Sequence, residues 1–488
     1  MKKIIGIIII IAVLGVTAYL ILHIPKQGRS KLAEPTVSSF QSNSEEWLGI
    51  FIQKQRVGYS FTKMGKTDTG LVVENVSQMT LLMMGAQRTL ITHLFAHTDN
   101  EFTLKNFQME IKTEGHVTKV EGTIEGTQLM LTTYSRGIPT EQVITLKEKP
   151  YFPDAIEEVI KRKNLKPGDE ISIPYFDPTT QSSSTATITV FGKETVTVLG
   201  MEKHGMRVEI NYIGIQSILW LDDEYKLLKE SSPAMGLEMI PLSKEEALAE
   251  IRPDETFDLL SFFSVKLDTI LPDPQTLTYL KVELKDITAE GLDLNNDYQV
   301  LRKADPITIE LFLPNLADLP ALPIPMSEHE AYLQPSAYIQ CGDPAIVAKA
   351  KEIVGDEKDA QKAVGKLVEG VYNFIEKNPI ASLPSALDVL QTREGDCNEH
   401  AILFTALARA CGIPAKIYVG LVNLHGFAYY YHAWCAVWLG KWVPVDPTFN
   451  QYPADVGHLK LKEGEISEQA NVLKVVGKLK IDVLEYSE

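Results

Sequence analysis

The chain has 488 residues, 45% apolar and 23% charged, with only four cysteines. That is globular composition with enough chain to bury a large core, and it excludes dominant disorder and a disulfide-stapled miniature. Lys and Arg number 47 against 64 Asp and Glu, a net charge of −17; with no basic stripe, nucleic acid is excluded as the main partner and so is a polybasic membrane patch on the body of the chain.

Lys2 and Lys3 precede an apolar run from Ile4 to Leu22. A run of that length suffices to span a bilayer, which takes roughly 20 residues. Its bulky end (Tyr19, Leu20, Ile21, Leu22) offers no clean small-residue cleavage site, so residues 1–25 read as an uncleaved single-pass anchor, in contact with lipid through residues 4–24, with a cleaved secretory signal as the alternative. A two-lysine tail places the large C-terminal body outside the cytoplasm, at the cell envelope. Residues 26–45, with Pro35 and the stretch SSFQSNSEE, read as a linker.

Residues 46–264 are expected to form an antiparallel β-rich domain. Runs such as WLGIFI, LVVENVSQMTLLMM and ATITVFGKETVTVLG follow one another at short spacing, the pattern of a meander with one face buried. DAIEEVIKRKN (154–164) and SKEEALAEI (243–251) have helical spacing instead. Residues 265–325 read as a β-rich connecting region ending in the proline-rich LPNLADLPALPIP. From residue 326 to 488 the texture becomes mixed: helices at 344–355, 358–378, 384–392 and 397–411, then strands at 415–422, 429–440 and 441–447, with 473–486 as a last strand.

The chemistry concentrates in GDCNEHA, residues 395–401. Asp396 and Glu399 have capping-box spacing, which puts Cys397 in the first helical turn. The positive end of the helix dipole favours a thiolate there, and the apolar turns that follow would hold it rigidly. A thiolate attacking an amide needs a base that later protonates the leaving amine. His432, in YYYHAWCAVW, is the candidate. A turn at Gly440-Lys441 would pair WCAVWLG with KWVPVDP and bring Asp446 beside His432, where a buried carboxylate would fix the imidazole tautomer.

GDCNEHA followed by YHAWCAVWLGKWVPVDPTF resembles the transglutaminase-like superfamily of cysteine enzymes. The resemblance implies an α+β fold with a papain-like catalytic core at the C-terminus, preceded here by the antiparallel β-rich domain and the N-terminal transmembrane helix. It implies Cys397 as nucleophile, His432 as base and Asp446 as orienting acid. The implied activity is that of a peptidase, amidase or transamidase acting on a protein or peptide substrate, with no metal or organic cofactor. The alternative is an inactive transglutaminase-like domain serving as a binding or assembly scaffold. One oxyanion donor is the Cys397 backbone N–H; Gln391, six residues upstream, has papain-type spacing. Cys341, Cys411 and Cys435 are expected to be unbridged. His93 and His97, His400, His425 and His458 are not read as site residues, and Trp434, Trp438 and Trp442 read as core or cleft wall. Asn75-Val-Ser77 fits a glycosylation acceptor pattern.

Overall fold

The computed structural model describes residues 34–488 apart from 84–85, 114–115, 136–137, 153–155, 179–181, 213–214, 234–235, 252–256, 258–263, 337, 378–384, 465–471 and 473–477. The expected anchor and the first part of the linker lie outside the described residues. Among the described residues no helix is long and apolar enough to cross a membrane. Two compact units divide in sequence between residues 259 and 260.

The first unit is built on one sheet of fourteen antiparallel strands. The first eight, from β1 (Ser44–Ile52) to β8 (Ile138–Thr145), lie side by side in chain order. So do the last six, from β9 (Glu170–Asp177) to β14 (Leu237–Pro241), and β1 pairs with β14 to join the two meanders. Tyr151 bridges Thr103 on one side and Tyr175 of β9 on the other, so the sheet curls back on itself. The expected linker is shorter than its composition suggested. Ser38 donates its backbone N–H to Glu74 at 2.9 Å, and Asn43 donates to the Met64 carbonyl at 2.7 Å. Residues 38–45 are therefore attached to the sheet.

The first helix of the unit is α1 (Ile156–Lys163), and alternation along β2 (Gln55–Thr67) and β3 (Gly70–Met83) sets Tyr59 and Phe61 against the second, α2 (Lys244–Leu248). The other face carries Ser60, Thr62, Asn75 and Ser77, all buried. These polar groups satisfy one another: Asn75 donates to Thr62 Oγ1 at 2.6 Å, and the Ser60 and Ser77 hydroxyls lie 2.6 Å apart. Asn75 is fully enclosed. The glycosylation reading is corrected on that ground, because an acceptor must reach the surface. His93 and His97 engage different partners, Glu74 and Asn106, at 2.8 Å each.

In the second unit, segments that read as separate regions share sheets. The C-terminal strand β25 (Lys480–Ser487) pairs with β16 (Tyr279–Lys285), beside β18 (Ile307–Phe312) and β17 (Gln299–Ala304). The 265–325 segment thus belongs to the same compact unit as the C-terminal region. A five-stranded sheet holds β15 (Val265–Lys266), β22 (Ala428–Trp438), β21 (Ala415–Asn423) and β24 (His458–Glu463) in that order, with β23 (Trp442–Val445) also pairing with β22. Helices α3 (Pro344–Val354), α4 (Ala360–Phe374) and α5 (Ala386–Thr392) surround α6 (Cys397–Ala410), and the short strands β19 (Glu376–Lys377) and β20 (Glu394–Gly395) pair in parallel between them. α6 is buried along its length from Cys397 to Ala408, which is why its sequence is apolar on every side. Leu403, Phe404 and Leu407 are each fully enclosed, worth roughly 1.5–3 kcal/mol apiece. Cys435 of β22 faces the helix and donates to the Ala401 carbonyl at 3.4 Å. None of the four cysteines forms a disulfide.

Candidate active site

The loop before α6 is built around its cap. Asp396 accepts from the Asn398 N–H at 2.9 Å, and Glu399 reaches back to the Asp396 N–H at 2.8 Å. Both carboxyls are buried. Gly395 has φ +157°, and a Cβ there would lie 2.2 Å from the Glu399 Cβ. The glycine of GDC therefore makes room for the returning Glu399. Gly395→Ala is expected to break this cap and cost roughly 1–3 kcal/mol. A lowered urea midpoint checks it; an unchanged midpoint would show that the cap tolerates a methyl group.

The same cap opposes the thiolate that the helix dipole suggested. Burial, and after it the Asp396 carboxylate, hold the Cys397 thiol well above the ordinary cysteine range, with the Ala433 N–H opposing and Glu399 and Asp446 adding to the rise. This direction runs against the low-pKa thiolate expected from the helix position. Cys397 is 1% exposed.

The Ala433 N–H comes from a gap in the sheet. On one edge of β22, β15 pairs with residues 428–429 and β23 with residues 435–438. Between those pairings, residues 430–434 have no strand on that edge among the described residues. Cys397 occupies this neighbourhood, facing the N–H of Ala433, the residue that follows His432. The Tyr431 hydroxyl is also buried and has no hydrogen-bond partner among the described residues. Its pKa is raised by burial first and then by Cys397.

The hairpin places Cys435 opposite Val445 and Trp438 opposite Trp442. Continuing it brings Asp446 to His432, whose Nε2 lies 2.7 Å from Asp446 Oδ2. The imidazole and the carboxylate are both fully enclosed. His432 stacks on Phe449 at 4.9 Å and on Trp434 at 6.0 Å between ring centres. Its Nδ1 has no hydrogen-bond partner among the described residues. Asp446 Oδ1 accepts from the Thr448 N–H at 2.7 Å and the Phe449 N–H at 3.3 Å, so the carboxylate cannot rotate freely.

Sequence reasoning left out His458. Its Nε2 lies 3.0 Å from the same Asp446 Oδ2, and its Nδ1 lies 3.0 Å from Asp455 Oδ1. Nothing in the sequence spacing marks it, because it arrives from β24 after an irregular stretch. Burial would lower the His458 pKa, but Asp455 and Asp446 push it up to about 10. Burial would raise the Asp446 carboxyl; the imidazoles, His432 first, hold it well below the usual range. Burial lowers His432, Asp446 opposes, and His458 lowers it further. These directions favour a positive charge on His458 over one on His432, whose Nε2 faces the Asp446 carboxylate.

Ligand atoms of His432, Asp446 and His458 fall within 4.8 Å of one another, a spacing a metal ion can bridge. Here both imidazoles aim Nε2 at one carboxylate oxygen, which is the geometry of a hydrogen-bonded relay. His400 places Nδ1 2.5 Å from the Asp396 carbonyl, and burial lowers its pKa to about 4. Gln391 is exposed at the end of α5.

The pH dependence of stability follows. His458 is raised on folding, so its contribution is complete below about 6.5 and is lost as pH rises toward about 10. Asp446 is depressed, so its contribution holds above about 3.9 and is lost as pH falls below that. The urea midpoint is expected to decline from pH 6.5 to 10, and a flat profile would contradict the assignment.

Residues 347–447 match the family model described as the transglutaminase-like superfamily. The match contains Cys397, His432 and Asp446 and ends before His458. Among solved structures, the chain is similar to a candidate cysteine protease from Cytophaga hutchinsonii, at 18% identity over 43% of this chain and 85% of that one, TM-score 0.29. It is also similar to a β-barrel-like protein from Brucella abortus, at 12% identity over 41% and 95%, TM-score 0.32. A candidate protease from Parabacteroides distasonis aligns at 12% identity over 68% and 64%, TM-score 0.19. No curated protein matches the chain.

Proposed function

Because residues 347–447 form a transglutaminase-like domain, we propose that this chain is a cysteine enzyme that opens amide or peptide bonds through a covalent acyl-thioester. The observation that carries the reading is His432, tied to Asp446 at Nε2 and with no hydrogen-bond partner at Nδ1 among the described residues. A neutral imidazole so oriented is a base awaiting a proton.

In this mechanism the Cys397 sulfur attacks the amide carbonyl while its proton passes to His432 Nδ1. A carbon–sulfur bond forms, the tetrahedral oxyanion gathers at the Cys397 N–H, and the carbon–nitrogen bond breaks as His432 returns the proton to the leaving amine. Water then cleaves the thioester to a carboxylic acid and free thiol, which is hydrolysis. A primary amine would instead give a new amide, which is transamidation. Asp446 keeps Nδ1 as the acceptor by holding the Nε2 proton. The apolar run Ile4–Leu22 supports anchoring at the cell envelope, with the β unit presenting a protein or peptide substrate.

The burial of Cys397, which raises its thiol pKa, favours a second reading, an anchored binding scaffold of the same family. The test is a peptide library, containing side-chain carboxamides, incubated with the full chain in detergent with and without methylamine. New amino termini or released ammonia support hydrolysis, and methylamide products support transamidation. With neither product, the enzymatic proposal fails and the scaffold stands.

A further inference from the structure

The orienting carboxylate serves two imidazoles. Asp446 Oδ2 accepts from His432 Nε2 at 2.7 Å and lies 3.0 Å from His458 Nε2, and His458 is held in turn by Asp455 Oδ1 at 3.0 Å. Gln451 donates to the other Asp455 oxygen at 2.8 Å. All three relay side chains, His432, Asp446 and His458, are at most 2% exposed.

We infer that His458 is a positioning residue for the base: it clamps Asp446 opposite His432 and takes the positive charge, so that His432 stays the neutral acceptor. This rests on the cysteine-enzyme reading above. The fold prepares the clamp through Gly420, which stands opposite His432 on β21. A Cβ at Gly420 would lie 2.1 Å from the Leu459 carbonyl, so the glycine is what lets β24 pack against β21 and deliver His458.

The chemistry follows from charge sharing. A buried Asp446 facing His432 alone would favour the imidazolium, which cannot take a proton from the thiol. A second, charged imidazole on the same oxygen weakens that pull while leaving the Nε2 hydrogen bond in place. The titratable groups around His432 are Asp446 beyond β23, His458 and Asp455 from the β24 side, and Cys397 and His400 from α6. His400 is held neutral by burial, so it does not replace the charge on His458.

The test uses the full chain in detergent, with histidines carrying a 13C label at Cε1, and follows the His432 and His458 resonances with pH. In the wild type His458 is expected to remain an imidazolium at pH 8 while His432 is neutral. In His458→Gln the His432 midpoint should rise by about one to two pH units, a roughly 10- to 100-fold gain in proton affinity. The acidic limb of kcat/KM should move upward with it, and His458→Lys, which restores a positive charge, should move it back toward wild type. A neutral wild-type His458 at pH 8 overturns the inference without any variant having to fold. So does a glutamine variant whose kcat drops while neither the midpoint nor the limb moves, because that outcome marks a merely structural residue. If the His432 midpoint shifts but no protein turns over amides, the charge sharing stands and the enzymatic reading fails.

Discussion

Cys397→Ala is expected to reduce amide cleavage by at least about 10⁴-fold, leaving only the rate that binding and the remaining polar groups provide. The sulfur has no substitute. Cys435 faces the Ala401 carbonyl and Cys341 the Leu333 carbonyl, so neither thiol is directed at His432. Burial raises the Cys411 thiol to about 11. The lost thiol is small and the helix around it is enclosed by apolar contacts, so the urea midpoint should change little. A folded variant with unchanged product release would remove Cys397 from the mechanism.

Asp446→Asn should cost more than activity. The carboxylate accepts four hydrogen bonds, two from imidazoles through Oδ2 and two from backbone N–H groups through Oδ1. An asparagine has one acceptor oxygen. Whichever way its amide turns, its NH₂ group faces donors, and each stranded buried donor costs roughly 1–3 kcal/mol. Its charge also disappears, leaving His458 with Asp455 alone. Stability is expected to fall by about 3–5 kcal/mol, the range for removing one partner of a buried ion pair. Turnover in the folded fraction is expected to fall by roughly 10³- to 10⁴-fold, because His432 can then place its proton on the wrong nitrogen. Denaturant unfolding and initial rates at saturating substrate measure the two effects separately. Wild-type rates in a destabilised protein would mean that Asp446 is structural only.

These residues also show which parts of the site the sequence could reveal. Contacts encoded by short spacing were readable. Asp396 and Glu399 stand three apart, and the observed capping box follows from that interval. His432 and Asp446 stand on either side of one hairpin, so their pairing follows from a turn at Gly440-Lys441. The alternation of the β-rich half foretold antiparallel strands with short connections.

What stayed hidden depended on distant packing or on burial. His458 reaches Asp446 because β24 pairs with β21 rather than with β22, a choice that local periodicity does not encode. Pairing of the C-terminal strand with residues 279–285 likewise joins segments about two hundred positions apart. The helix dipole argued for a thiolate at Cys397, but it is a weak exposed-site effect beside complete desolvation and a neighbouring carboxylate. Asn75 matched a surface motif by letter alone, and its strand turns that side chain into a buried polar ladder.

The most direct measurement of the central claim is the intact mass of the full chain, acid-quenched within seconds of mixing with p-nitrophenyl acetate, followed by peptide mapping. One acetyl group on Cys397 is expected in the wild type and a strongly reduced yield in His432→Ala, with both proteins folded. Absence of an acyl group on Cys397 in the folded wild type, or an equal yield without His432, would contradict it.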